Sequence, residues 1–183
     1  MPTFKSIELP EAKGKTKDLL TAVQNKFGTV PNLFKIVANS PAALEGILGF
    51  LTAMEGSSLS PQVREQLALV VASTNSCNYC LAAHNAIGQM CGLTEDAIVD
   101  STQGKGADSK TTALLAFAQE VVKERGLVSP DQLESVRKAG WNDGQILETI
   151  AMVAINVFTN YTNHIAGTVV DFPELKIPAR KQA

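Results

Sequence analysis

Residues 60–84 read SPQVREQLALVVASTNSCNYCLAAH, and their pattern sets the expected fold. Ser60 followed by Pro61 is a helix start: a hydroxyl that can cap, then a proline at the first helical position, where its missing N–H leaves no bond unmade. Val63, Leu67, Val70 and Val71 then share one helical face. Ser73-Thr74-Asn75-Ser76, four small polar residues in a row, reads as a break between two helices. Either Asn75 or Ser76 is suited to cap the second helix, which places Cys77 and Cys80 in its first turn.

The same start signal recurs along the chain. Ser40-Pro41 predicts a helix to about Met54, and Ser129-Pro130 another, with Gln132 completing a capping box. Asn142 with Gln145 repeats that box ahead of a long apolar segment through Ile165. Upstream, Asp18 to Phe27, ended by Gly28, and Asn32 to Ala38, capped by Asn32, read as short helices. A short helix from Thr94, a loop at Gly104-Lys105-Gly106, and a helix capped by Asp108 through Arg125 fill the middle. Gly92, Gly126, Gly140 and Gly167 stand where helices should stop. No hairpin signal is present and few runs alternate with a period of two. The expectation is all-α: a single-domain helical bundle of about eight helices over 16–170, with 1–15 an extended arm and 171–183 an extended tail. Leu59-Ser60-Pro61-Gln62 and Val128-Ser129-Pro130-Asp131 echo each other, as do Cys77-Asn78-Tyr79-Cys80 and Thr159-Asn160-Tyr161-Thr162, which is compatible with a duplicated helical hairpin.

Composition narrows the function classes. The chain has 183 residues, 45% hydrophobic and 19% charged, a size at which one domain buries roughly 70% of the surface of its unfolded chain. Sixteen basic against eighteen acidic side chains leave a formal charge of −2, without the basic excess of a nucleic-acid binder. The run from Ile146 to Phe158 is interrupted by Glu148, Thr149 and Asn156 and falls short of the ~20 apolar residues that cross a bilayer. Met1-Pro2-Thr3-Phe4 carries no apolar signal core, so a cytoplasmic location is expected. Three cysteines are too few for a secreted disulfide scaffold. The close pair therefore points to redox chemistry or to a metal.

Position on the helix explains what the pair can do. The fractional positive charge at a helix N-terminus stabilises a thiolate and lowers thiol pKa. A separation of three residues brings both sulfurs to one face, within reach of a disulfide. His84, four residues after Cys80, lies about 40° around the axis and roughly 6 Å along it, so its imidazole can take a proton from Cys80 directly or through one water. Cys77 is two turns from His84 and farther away. Glu65 lies on the preceding helix; if the two helices pack antiparallel, its carboxylate returns to His84 and raises the basicity of the ring. Cys91, eleven residues past Cys80, is too distant for a disulfide and reads as a buried small apolar residue. His164 reads as a buried hydrogen-bonding residue on the last long helix.

The spacing Glu65, eleven residues, Cys77-x-x-Cys80-x-x-x-His84 resembles the signature of the alkylhydroperoxidase D-like proteins of the carboxymuconolactone decarboxylase family. Val30-Pro31-Asn32-Leu33-Phe34, Ser40-Pro41, Asn163-His164 and Asp171-Phe172-Pro173 are similar to its peroxidase-related branch, so the resemblance runs from about Gly28 to Pro173. It implies an all-helical fold assembled into trimers or hexamers that reduces hydroperoxides with a dithiol or lipoyl-type donor. It also implies that Cys80 attacks the peroxide, that Cys77 is the resolving and more accessible sulfur, and that His84 and Glu65 relay the proton. The chain departs from the better-known members at Tyr79, where they carry a histidine; a phenol with a reference pKa near 10 is no base at neutral pH.

No cofactor or metal is called for by that reading. Two others stay open: a reductase or relay for protein or lipoyl disulfides with Cys77 as the attacking group, and a zinc module using Cys77, Cys80, His84 and His164. Lactone decarboxylation, which names the wider family, has no evident use for paired thiols.

Overall fold

Leu67 to Ala72, six consecutive residues of the helix that begins at Pro61, are fully enclosed. A helix with one apolar stripe faces a core, whereas a helix buried all round is the core. In the computed structural model, which describes residues 3–173, that helix is the axis of the molecule. Nine helices form among the described residues: α1 (Gly14–Phe27), α2 (Asn32–Val37), α3 (Pro41–Glu55), α4 (Pro61–Thr74), α5 (Asn78–Met90), α6 (Glu95–Thr102), α7 (Ser109–Lys123), α8 (Pro130–Lys138) and α9 (Asp143–Ala166). Helix α4 packs against α5, α6, α7 and α9. The one-face reading of Val63, Leu67, Val70 and Val71 therefore understates its burial: Ala68, Leu69 and Ala72 are enclosed on the other faces.

The capping signals act as expected at most starts. Ser40, Ser60, Thr94 and Asp108 accept backbone N–H groups at the heads of α3, α4, α6 and α7. Both capping boxes, Ser129 with Gln132 and Asn142 with Gln145, are formed. Two starts differ. Helix α1 begins at Gly14, four residues before Asp18, and no side chain caps it. Helix α2 has Pro31 at its N-cap, and the Asn32 N–H is taken by the Asp171 carboxylate at 2.8 Å, so the cap comes from the far end of the chain. The Asn32 amide donates to the Val169 carbonyl at 3.1 Å, pinning the same segment. Residues from 174 onward, where the extended tail was expected, lie outside the described residues.

The expected hairpin echo stops at the helix starts. Cys77-Asn78-Tyr79-Cys80 opens α5 after a turn, whereas Thr159-Asn160-Tyr161-Thr162 lies inside the unbroken α9.

The turn from α4 into α5 sets the geometry of everything near it. Ser76 takes φ +59°, the Ser76 N–H donates to the Ser73 carbonyl, and the Cys77 N–H donates to the Ala72 carbonyl at 2.8 Å. This pair of bonds is the Schellman ending, which usually places glycine in the left-handed position. Serine there carries a Cβ penalty of about 1–2 kcal/mol. A β-branched side chain tolerates that region worst. Ser76→Val should therefore lower the denaturant midpoint by an amount equivalent to about 1 kcal/mol or more, with Ser76→Gly tolerated; equal stability of the valine variant would contradict the strained turn.

Candidate active site

Cys77 is itself the N-cap of α5, in place of Asn75 or Ser76. Its Sγ folds back over the first turn and accepts the Cys80 N–H at 3.4 Å, as a serine hydroxyl would at that position. The fold-back brings the Cys77 and Cys80 Sγ atoms to 2.8 Å, with both cysteines free and buried at 1% and 3% exposure. The expected difference in accessibility between them is absent, because the sulfur of a capping residue turns in over the helix instead of out to solvent.

Helices α4 and α5 reverse direction at the Ser76 turn, so the start of α4 returns to the middle of α5. Glu65 Oε2 lies 2.8 Å from His84 Nδ1, with side chains 15% and 20% exposed. The antiparallel packing anticipated from sequence thus joins carboxylate and imidazole. Burial disfavours the imidazolium, but the charge and hydrogen bond of Glu65 outweigh it and raise the pKa of His84 above its ordinary value.

The sulfur that feels this imidazole is Cys77. Hydrogen bonding to the Cys80 thiol is the main cause that brings the Cys77 pKa down to about 7, against burial, with the Cys80 N–H and the charges of His164 and His84 assisting. The Cys80 thiol is pushed up by its hydrogen bond to Cys77 and by burial. No hydrogen bond joins His84 to Cys80 among the described residues; the Cys80 sulfur faces α9, where Asn163 Nδ2 donates to it at 3.2 Å. The direct contact that straight-helix spacing favours for Cys80 and His84 gives way to contacts of Cys80 with Cys77 and Asn163.

Against known proteins, residues 41–124 match the profile of the carboxymuconolactone decarboxylase family. The matched segment runs from α3 through α7 and holds Glu65, Cys77, Cys80 and His84. The sequence matches no curated protein. Among solved structures, a peroxidase-related protein of Ralstonia eutropha JMP134 with an alkylhydroperoxidase AhpD core is 23% identical with a TM-score of 0.83, over 93% of this chain and 92% of that one. A peroxidase-related protein of Silicibacter sp. TM1040 is 24% identical with a TM-score of 0.78, over 92% and 94%. The debrominase Bmp8, as a cysteine-to-alanine variant bound to 2,3,4-tribromopyrrole, is 13% identical with a TM-score of 0.80, over 93% and 92%. The all-helical fold implied by the sequence resemblance is therefore the alkylhydroperoxidase D-like fold.

Within the matched segment, the departure at Tyr79 has a structural use. Burial holds the phenol well above its ordinary pKa, so it remains neutral. Its oxygen accepts the Leu33 N–H at 3.1 Å, and its ring meets Phe172 edge-on, centroids 5.7 Å apart. Tyr79 thus ties the start of α5 to α2 and to the chain beyond α9. Two other expectations change. Cys91 is half-buried at the end of α5, and His164 is exposed on α9. Among the described residues no group of three or more His, Cys, Asp or Glu side chains is arranged to hold a metal ion, and His84 Nδ1 is turned to Glu65.

Sequence reading passed over the asparagines of α9. Asn156, Asn160 and Asn163 are buried, and their spacing places them on the α9 face that meets α5. Asn156 adds to the stabilisation of the His84 imidazolium, and Asn160 and Asn163 to that of a Cys80 thiolate. Polar residues recurring at helical spacing inside an apolar run were the available signal.

Titration of the reduced protein, followed by ultraviolet thiolate absorbance, should show one thiol ionising near pH 7. The stability gained from this thiolate is complete above the ~8.5 of a free thiol and is lost as pH falls from there through about 7. Cys80→Ala removes the main stabilising donor and should move this ionisation toward the ~8.5 of a free thiol. An unmoved titration would show that the Cys80 thiol does not hold the charge on Cys77.

Proposed function

We propose that this chain is a thiol-dependent peroxidase that reduces small hydroperoxides with the Cys77–Cys80 pair. The observation that carries the reading is the approach of two free sulfurs to 2.8 Å beside a Glu65–His84 pair, also at 2.8 Å. In the resting dithiol, Cys77 is the thiolate and His84 the imidazolium. Cys77 takes the Cys80 proton across the short S–S approach, and the Asn163 amide supports the thiolate that results. Cys80 attacks the terminal peroxide oxygen. The O–O bond breaks, and the departing alkoxide takes a proton from His84, leaving Cys80 as sulfenic acid. His84 then recovers the Cys77 proton, and the Cys77 thiolate displaces hydroxide from the sulfenic sulfur. The S–S bond forms, and the hydroxide leaves as water with the His84 proton. A dithiol or lipoyl-type donor restores both thiols by exchange.

The lowered pKa of Cys77 favours a second reading, in which Cys77 first attacks a protein or lipoyl disulfide. Burial weighs against it as the main activity. At 1% and 3% exposure the sulfurs admit a small peroxide far more easily than a bulky disulfide, which requires the turn at Ser76 to open.

Cys80→Ser should abolish hydroperoxide consumption with a dithiol donor. Cys77→Ser should permit one turnover and accumulate Cys80 sulfenic acid, detected by mass spectrometry. Glu65→Gln should slow turnover at least ~10-fold through loss of the relay. If the Cys80→Ser protein turns over normally, the attack is wrongly assigned; faster disulfide exchange than peroxide reduction in wild type would favour the second reading.

A homo-oligomer is part of the same proposal. Leu147, Ile150, Phe158, Tyr161 and Ile165 are exposed along one side of α9, at 66% and 65% for the first and last. Stripes of this kind on a soluble surface are covered by a partner. Sedimentation should give a mass above the 19.5 kDa of one chain, and Leu147→Glu with Ile165→Glu should return it to that value. A monomeric wild type would end this part of the reading.

A further inference from the structure

Two buried amide atoms of α9 have no hydrogen-bond partner among the described residues: Asn160 Nδ2 and Asn163 Oδ1. Their residues are 0% and 4% exposed. Buried polar atoms are nearly always paired, and two exceptions within one helical turn beside a reactive sulfur point to a ligand that pairs them.

Neighbours fix which end of each amide faces the site. Asn75 Nδ2, at the end of α4, donates to Asn160 Oδ1 at 2.9 Å. The Asn160 oxygen is thereby held, and its nitrogen is left as a free donor on the side of Cys80, whose thiolate Asn160 helps to stabilise. Asn163 Nδ2 donates to the Cys80 sulfur at 3.2 Å, which leaves the Asn163 oxygen as a free acceptor beside that sulfur. The site therefore offers one donor and one acceptor, both next to the atom proposed to attack. A hydroperoxyl group has the matching set: a terminal O–H that donates and an inner oxygen that accepts.

We propose that Asn160 and Asn163 are the hydroperoxide-binding residues of this site, with Asn163 Oδ1 accepting the terminal O–H and Asn160 Nδ2 donating to the inner oxygen. The inference rests on the peroxidase reading above and adds the groups that recognise the substrate. In this pose the terminal oxygen is presented to Cys80 Sγ. As the S–O bond forms and the O–O bond breaks, the electron pair leaves on the inner oxygen, where Asn160 Nδ2 is already aimed and His84 supplies the proton. A donor placed at developing oxyanion charge acts most strongly in the transition state. Asn75, which holds the Asn160 amide in this orientation, is a positioning residue.

The test compares two reactions of the reduced chain carrying Cys77→Ser and Cys91→Ala, in which Cys80 is the one thiol left. One is the single-turnover rate with tert-butyl hydroperoxide; the other is alkylation of Cys80 by iodoacetamide, read by mass spectrometry. Asn160→Leu should slow the peroxide step about 100- to 1000-fold, the scale of losing one oxyanion donor, and alkylation by no more than about tenfold, because loss of thiolate support slows both reactions and loss of the donor to the inner oxygen slows only the peroxide step. Asn75→Ala, at a half-buried position, should shift the ratio of the two rates in the same direction, and carries the comparison should Asn160→Leu fail to fold. Equal slowing of both reactions, or an unchanged peroxide rate, would overturn the assignment while leaving the peroxidase reading intact. A Cys77→Ser, Cys91→Ala chain inert to hydroperoxide would instead overturn the peroxidase reading, and this assignment with it.

Discussion

A sulfur used as a helix cap is the interaction on which the site depends. A serine at the N-cap would satisfy the amide of the fourth residue and do no more. A cysteine there performs the same capping, and in doing so its thiol is folded against whatever side chain occupies that fourth position. In this chain the fourth residue is Cys80, so the Cys-x-x-Cys spacing converts a local capping requirement into a contact between two sulfurs. The helix N-terminus and the Cys80 N–H then stabilise negative charge on Cys77, and a single proton is shared across the pair. The left-handed serine that precedes Cys77 is where the backbone reversal that makes this possible is strained.

The rest of the molecule serves to keep that contact enclosed. Helix α4 is buried on every side, which lets it deliver Glu65 at one end and the Ser76 turn at the other with little freedom in either. Helix α9 closes the opposite side with a row of asparagines where an apolar helix would have left the sulfurs in a wholly nonpolar environment, and burial alone would then raise both thiols. Amides are suited to this place because they stabilise charge without carrying any. The same architecture, to a TM-score of 0.80, occurs in a debrominase that shares 13% of its residues with this chain, so the helices do not choose the reaction. The side chains that α4, α5 and α9 bring to one point do.

Tyr79 illustrates how a departure from a motif is absorbed. The phenol at that position is no base at neutral pH and is instead engaged by the Leu33 N–H and the Phe172 ring. Asp171, next to Phe172, supplies the cap that proline denies to α2. Val30-Pro31-Asn32 and Asp171-Phe172, which carry the resemblance at opposite ends of the chain, are therefore two halves of one clasp over the start of α5. Their joint presence in the sequence has a physical cause: each lacks a hydrogen-bond partner without the other.

Local rules were sufficient for much of this. Hydroxyl–proline starts, two capping boxes and terminal glycines define the helices because capping is settled within four or five residues of chain. The Glu65–His84 pair was legible because two helices joined by a short turn have little choice but to pack antiparallel. The order of the sulfurs and the role of α9 were not legible. Which of two thiols holds the charge depends on a cap conformation and on amides contributed from eighty residues away, at 3.2 Å in the case of Asn163. Such contacts have no trace in spacing along one helix. Sequence determined where the chain turns and which chemistry it can carry; tertiary packing decided which groups surround each sulfur, because only packing brings a third helix to the pair.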